Sequence, residues 1–127
     1  MRDALYAFMA ERPFCVMSTV STDGKPESAM VGFSHTKTFD VVIGTSSKSR
    51  KYANLLQNSK VSITIGDGGG TVQLDGTAEV LTHDAYTSMI DRAEITALPG
   101  VDTYRQDPNQ VFVKTGEGGG KEEFTEF

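Results

Sequence analysis

Phe14–His35 reads FCVMSTVSTDGKPESAMVGFSH. A run of β-favouring residues, Phe14 to Ser21, meets the break Thr22-Asp23-Gly24-Lys25-Pro26, and a second run follows from about Glu27 to Ser34. Asp-Gly between two extended runs marks a hairpin, because glycine tolerates the positive φ that such turns need. A third strand is expected from about Thr38 to Thr45, so three strands follow one another through short turns. Upstream, Leu5, Phe8 and Met9 fall on one side at helical spacing between Asp3 and Glu11, and Pro13 stops the run. Downstream, SSKSRKYANLLQN predicts a helix capped by Ser47 or Ser49, with Tyr52, Leu55 and Leu56 inward and Asn58 at its end.

Lys60 to Ile65 alternates as a half-buried strand, Gly66–Gly70 reads as a loop, and Thr71 to Leu81 as a long strand broken near Gly76. Asp84 is the expected cap of a third helix carrying Tyr86, Met89, Ile90 and Ala93 on one face, ended by Leu98-Pro99-Gly100. Gln110 to Lys114 reads as the last clear strand. The acidic, glycine-rich tail from Thr115, with its run Gly118–Gly120, receives no assignment. Six strand-like runs with helices inserted among them, and no regular strand–helix alternation, predict a mainly β antiparallel barrel.

The 127 residues fit one domain, 1–127. A net charge of −5 makes nucleic acid and anionic membrane surfaces poor partners, and gives weight to any place where the basic residues cluster. A hydrophobic content of 38 % is lean for a free-standing monomer, consistent with a partner subunit completing the core. The single cysteine, Cys15, allows no internal disulfide and no cysteine-based metal site, and favours a reducing, cytoplasmic setting. In its apolar strand Cys15 reads as an inert thiol. The first residues carry Asp3, Glu11 and Arg12 in place of a signal peptide's apolar run. His35 and His83 read as scattered, solvated histidines, so no metal is expected. Gly116–Lys121 lacks one residue of a phosphate-binding nucleotide loop, and Glu122 replaces its Ser or Thr. The acid pairs Glu122-Glu123 and Asp102-Asp107 read as surface charge.

The chemistry concentrates in Gly44-Thr45-Ser46-Ser47-Lys48-Ser49-Arg50-Lys51, where a strand hands over to a helix. A helix start offers unpaired N–H groups and partial positive charge. Hydroxyls add neutral donors, and Arg50 and Lys51 add charge-assisted ones. Cations in a first helical turn oppose the helix dipole, and a phosphate dianion relieves that conflict.

Val16-Met17-Ser18-Thr19, Asp23-Gly24-Lys25-Pro26, Gly44-Thr45, Ser49-Arg50-Lys51-Tyr52-Ala53-Asn54-Leu55 and Val72–Glu79, in that order, resemble the pyridoxamine 5'-phosphate oxidase-like, FMN-binding split β-barrel family. The likeness is closest over Met1–Leu81. It implies a six-stranded antiparallel split β-barrel with about three peripheral α-helices, homodimeric, with FMN at the subunit interface. By position, Arg50 and Lys51 match the phosphate-binding residues, with Gly44, Thr45 and Ser49 beside them. Ala29-Met30-Val31-Gly32 matches the strand along the flavin ring. Gln73 lies two residues beyond Thr71, which stands where the oxidases have a ring-contacting glutamine. Ser34 replaces their lysine and Ala29 their arginine, and the chain has no arginine or histidine after Arg105 and no tryptophan. Those departures argue against oxidation of a phosphorylated pyridoxine and place the chain nearer the general-stress-protein branch. The resemblance therefore implies an FMN-dependent oxidoreductase that uses a donor such as NAD(P)H and a small-molecule substrate. The alternatives are a non-enzymatic flavin-binding module, or a relative holding F420 or haem.

Overall fold

The hairpin read from Asp23-Gly24 forms as β1 (Phe14–Val20) and β2 (Pro26–His35), paired antiparallel from Phe14↔Gly32 to Val20↔Pro26. The structure is a computed structural model that describes residues 2–67, 69–101, 107–116 and 122–126. Gly24 takes φ 84°, and its N–H donates to the Ser21 carbonyl at 2.9 Å, while Ser21 N–H donates to the Lys25 carbonyl at 2.9 Å. β3 (Val41–Ser46) starts later than its apolar pattern suggests. Thr36 Oγ1 accepts from the N–H groups of Thr38 and Asp40, closing a turn that holds Phe39 at φ 67° with its ring buried.

β4 (Lys60–Asp67), β5 (Gly70–Leu81) and β6 (Gln110–Gly116) complete a six-stranded antiparallel barrel in the order β4-β1-β2-β3-β6-β5, closed by pairing of β4 with β5. Alternation sends Cys15, Met17, Val31, Phe33, Ile43, Val61, Ile63, Ile65, Val72 and Val113 inward as one core. α1 (Arg2–Ala10) adds Leu5, Phe8 and Met9 to it, and α2 (Arg50–Gln57) adds Leu55.

β5 is continuous where a break was expected. Gly76 serves a close approach instead, since a Cβ there would lie 2.2 Å from the Gly116 carbonyl oxygen. At this point β5 exchanges partners: β4 pairs with it up to Thr77, and β6 from Thr77 to Leu81. A seventh strand, β7 (Glu122–Glu126), pairs with Gly70–Leu74 on the edge opposite β4, extending the line of β6. The tail thus holds a strand that composition alone left unassigned. Gly118–Gly120 and Asp102 lie outside the described residues, as do the side chains of Glu122 and Glu123.

A second apolar cluster lies outside the barrel wall: Val42 and Phe112 are covered by α3 (His83–Asp91) and by the following segment through Tyr86, Ile95 and Leu98. The Tyr86 ring stacks on Phe112 at 3.8 Å, and its hydroxyl accepts the Leu98 N–H at 2.9 Å. Thr82, rather than Asp84, caps α3, accepting Ala85 N–H at 3.0 Å; Asp84 falls in the first turn, where its charge favours the helix dipole. The helix stops at Asp91, well before Leu98, because Ala93 takes a left-handed φ of 57°. Among the described residues no helix is long and apolar enough to cross a membrane.

Candidate functional site

α2 begins where the sequence placed it. Ser49 is its N-cap, with Oγ accepting from Tyr52 N–H at 3.2 Å. The same Oγ lies 3.1 Å from Thr45 Oγ1, so the buried Thr45 orients the cap from inside the barrel and does not face solvent. Arg50 and Lys51 occupy the first turn, and as at any helix start their N–H groups have no intrahelical acceptor. Lys51 has no ion-pair partner among the described residues. Arg50 is 84 % exposed and pairs with Glu27 Oε2 at 2.9 Å.

Glu27 is a site residue that sequence reasoning missed. Its side chain is only 18 % exposed, and its second oxygen accepts from Asn54 Nδ2 at 3.0 Å. Asn54 also donates to Thr19 Oγ1 at 3.0 Å, so a polar chain ties β1, β2 and α2 together at one end of the barrel. The available signal was the helical face itself: Asn54 is buried and Leu56 is 62 % exposed, the reverse of a purely apolar reading.

The barrel is split beside this helix start. β2 pairs with β3 only at Phe33–His35, while β3 continues along β6 through Gly44, Thr45 and Ser46. Phe33 N–H donates to the Pro13 carbonyl at 3.1 Å, so the odd-numbered residues of β2 direct their backbone bonds toward β1. Ser28, Met30 and Gly32 therefore direct theirs toward the split, where β3 supplies no partner. Of the four residues Ala29–Gly32, Met30 and Gly32 present open backbone groups. Ala29 and Val31 turn their side chains inward, Val31 into the core. Leu98–Val101 roofs this gap on the outside: a Cβ on Gly32 would meet Pro99 at 3.6 Å, and one on Gly44 would meet Leu98 at 3.3 Å. Gly44 thus serves packing; Gln110 Nε2, also close to it, donates to the Thr45 carbonyl at 3.1 Å.

Gln73 stands apart from the helix start. Met30, Val16, Thr64 and Gln73 form one cross-strand row over β2, β1, β4 and β5. Three strand spacings, about 14 Å, therefore separate Gln73 from Met30. Gln73 Nε2 donates to Asp75 Oδ1 at 3.1 Å. On this outer face Met30 is 73 % and Phe14 53 % exposed.

A cavity of about 590 Å³ opens beyond the end of the split, between the end of α1, the end of β2 and the segment following α3. Ser34, His35, Thr96 and Pro99 line it. Ser34 is buried, and its Oγ accepts the Thr96 N–H at 3.1 Å. His35 is half-buried against Tyr6 and Phe33 instead of solvated, and desolvation holds its pKa below the usual value against a weaker opposing bond to the Thr36 carbonyl. His83 is also half-buried, with Nε2 2.8 Å from the Gln110 carbonyl oxygen. Burial pushes the Cys15 thiol up to about 12, which keeps it protonated and inert.

This geometry has counterparts of known structure. General Stress Protein 26 from Bacillus anthracis superposes with a TM-score of 0.71 at 21 % identity, over 99 % of this chain and 98 % of that one. The haem storage protein HutZ from Vibrio cholerae gives 0.74 at 17 % identity, over 97 % and 93 %. A pyridoxamine 5'-phosphate oxidase-related, FMN-binding protein from Nostoc punctiforme gives 0.63 at 15 % identity, over 89 % and 75 %. At these identities the likeness is one of fold. No curated protein matches the chain. The family model for pyridoxamine 5'-phosphate oxidase matches residues 1–115, and with the split barrel and its helix start in place, the chain belongs to that family.

Proposed function

We propose that this chain is an FMN-binding flavoprotein, working as a cytoplasmic homodimer that passes electrons from a reduced nicotinamide to a small-molecule acceptor. One observation carries the reading: the open backbone edge of β2 and the cationic, hydroxyl-rich start of α2 border the same split. The residues present fit the cofactor. Arg50 and Lys51 would take its phosphate, with first-turn N–H groups beside them and Ser49 held in place by Thr45. The open N–H and C=O groups of Met30 and Gly32 would pair with the polar edge of the ring system. Two copies packed through the face carrying Phe14 and Met30 would cover its exposed apolar surface and bring Gln73 of one copy toward the other's split.

The bound flavin would supply the electron-transfer chemistry; the protein orients it and keeps water from the reactive face. The cavity at Ser34 and Thr96 adjoins the Gly32 end of the open edge, so it is the natural seat for the acceptor. No side chain is required as a general acid or base.

The absorption spectrum of freshly purified protein tests this reading. A flavin spectrum that bleaches on adding NADH or NADPH and recovers with an acceptor is the expected result. A Soret band, a deazaflavin spectrum or a colourless protein that takes up no FMN would overturn it. A flavin that nicotinamides do not reduce would make the protein a binding module.

A further inference from the structure

We propose that the cavity between α1, the end of β2 and the Glu94–Pro99 segment takes a neutral or cationic aromatic compound and turns phosphorylated ones away. The proposal rests on reading this cavity as the acceptor's seat, and adds the chemical class admitted.

The walls are aromatic where a flat ring would lie. Tyr6 and His35 meet edge to face at 5.0 Å, and Phe33 stacks on His35 at 6.0 Å. Ser34 and Thr96 supply neutral hydrogen-bonding groups, their hydroxyls 3.2 Å apart. The charges run against an anion. Among the described residues, Glu11, Glu94 and Arg12 are the acidic and basic ones of the lining. Arg12 is already committed: one terminal nitrogen donates to the Phe8 carbonyl and the other to Asp67 Oδ2, each at 2.7 Å. Its guanidinium also sits 3.5 Å over the Phe8 ring, and its Nε is sealed from solvent. Arg92 lies 3.7 Å from Glu94. With these two flanking groups counted, the carboxylates Glu11, Glu94 and Asp67 outnumber the guanidiniums Arg12 and Arg92. Desolvation lowers the pKa of the half-buried His35 and so disfavours its cationic form. Among the described residues, a phosphate dianion entering here meets net negative charge and no uncommitted cation, whereas an ammonium group on an aromatic ring meets carboxylates and π faces.

Pyridoxamine and pyridoxamine 5'-phosphate share one ring and differ by the phosphate, so they probe this directly. Each is titrated into the purified full-length protein while amide NMR shifts are followed. Pyridoxamine is expected to move the Tyr6, His35 and Thr96 signals. The phosphate ester is expected to bind the cavity at least about tenfold more weakly, with any perturbation centred on Arg50 and Lys51. The exposed double variant Glu11→Gln/Glu94→Gln should shrink the difference between the two. Equal or tighter binding of the ester in the cavity overturns the proposal, as does pyridoxamine leaving those three signals unmoved or a double variant that changes nothing. A colourless protein that still prefers pyridoxamine fails the flavin reading alone; a yellow one that prefers the ester in the cavity fails this proposal alone.

Discussion

Replacing Arg50 and Lys51 together by alanine is expected to weaken FMN binding by about two to four orders of magnitude. Each charge-assisted contact to a phosphate contributes roughly 1.5–3 kcal/mol. The fold should survive. Arg50 is 84 % exposed, so solvent screens its ion pair with Glu27 and the pair stabilises little, while the largely buried Glu27 keeps its bond from Asn54. Removing cations from a first helical turn also relieves their conflict with the dipole. Quenching of flavin fluorescence during titration reads the affinity, and circular dichroism reads the fold. Unchanged affinity in a folded double variant would take the phosphate away from this helix start.

The second large effect concerns barrel closure. Gly76→Val is expected to cost more than about 3 kcal/mol, at or beyond the upper end for overpacked sites, because the obstacle is backbone and cannot rotate aside. Its Cβ would sit 2.2 Å from the Gly116 carbonyl oxygen and 3.2 Å from the carbonyl carbon. This is where β5 passes from β4 to β6, so relieving the clash means opening the barrel. Urea unfolding measures the loss; a variant as stable as the parent would show that β6 does not approach β5 this closely.

Much of this architecture was legible in the chain because local rules and the final fold agree. Asp23-Gly24 makes its hairpin since a left-handed residue suits that turn whatever surrounds it. Ser49-Arg50-Lys51 announces a helix start because capping is a local bond. Non-local contacts were harder to read. Gly76 looked like a break, yet its meaning comes from Gly116, forty residues on. β7 escaped notice because its composition is acidic and its pairing partner, Gly70–Leu74, lies far back in the chain. Leu56, expected inward, is exposed and Asn54 is buried instead, because Glu27 and Thr19, on two other elements, provide bonds that make a buried amide favourable. The backbone of Met30 and Gly32 could be matched to a ring-binding strand by resemblance. That it is open, however, follows only from the register, in which β3 leaves β2 after Phe33.

The most direct measurement compares FMN with riboflavin, which carries the same ring and lacks the phosphate, on the cofactor-free protein. If the cations at the start of α2 anchor the ligand's dianion, FMN binds at least about a hundredfold more tightly, and the advantage shrinks as salt is raised. Equal affinity for the two, insensitive to salt, would contradict the account.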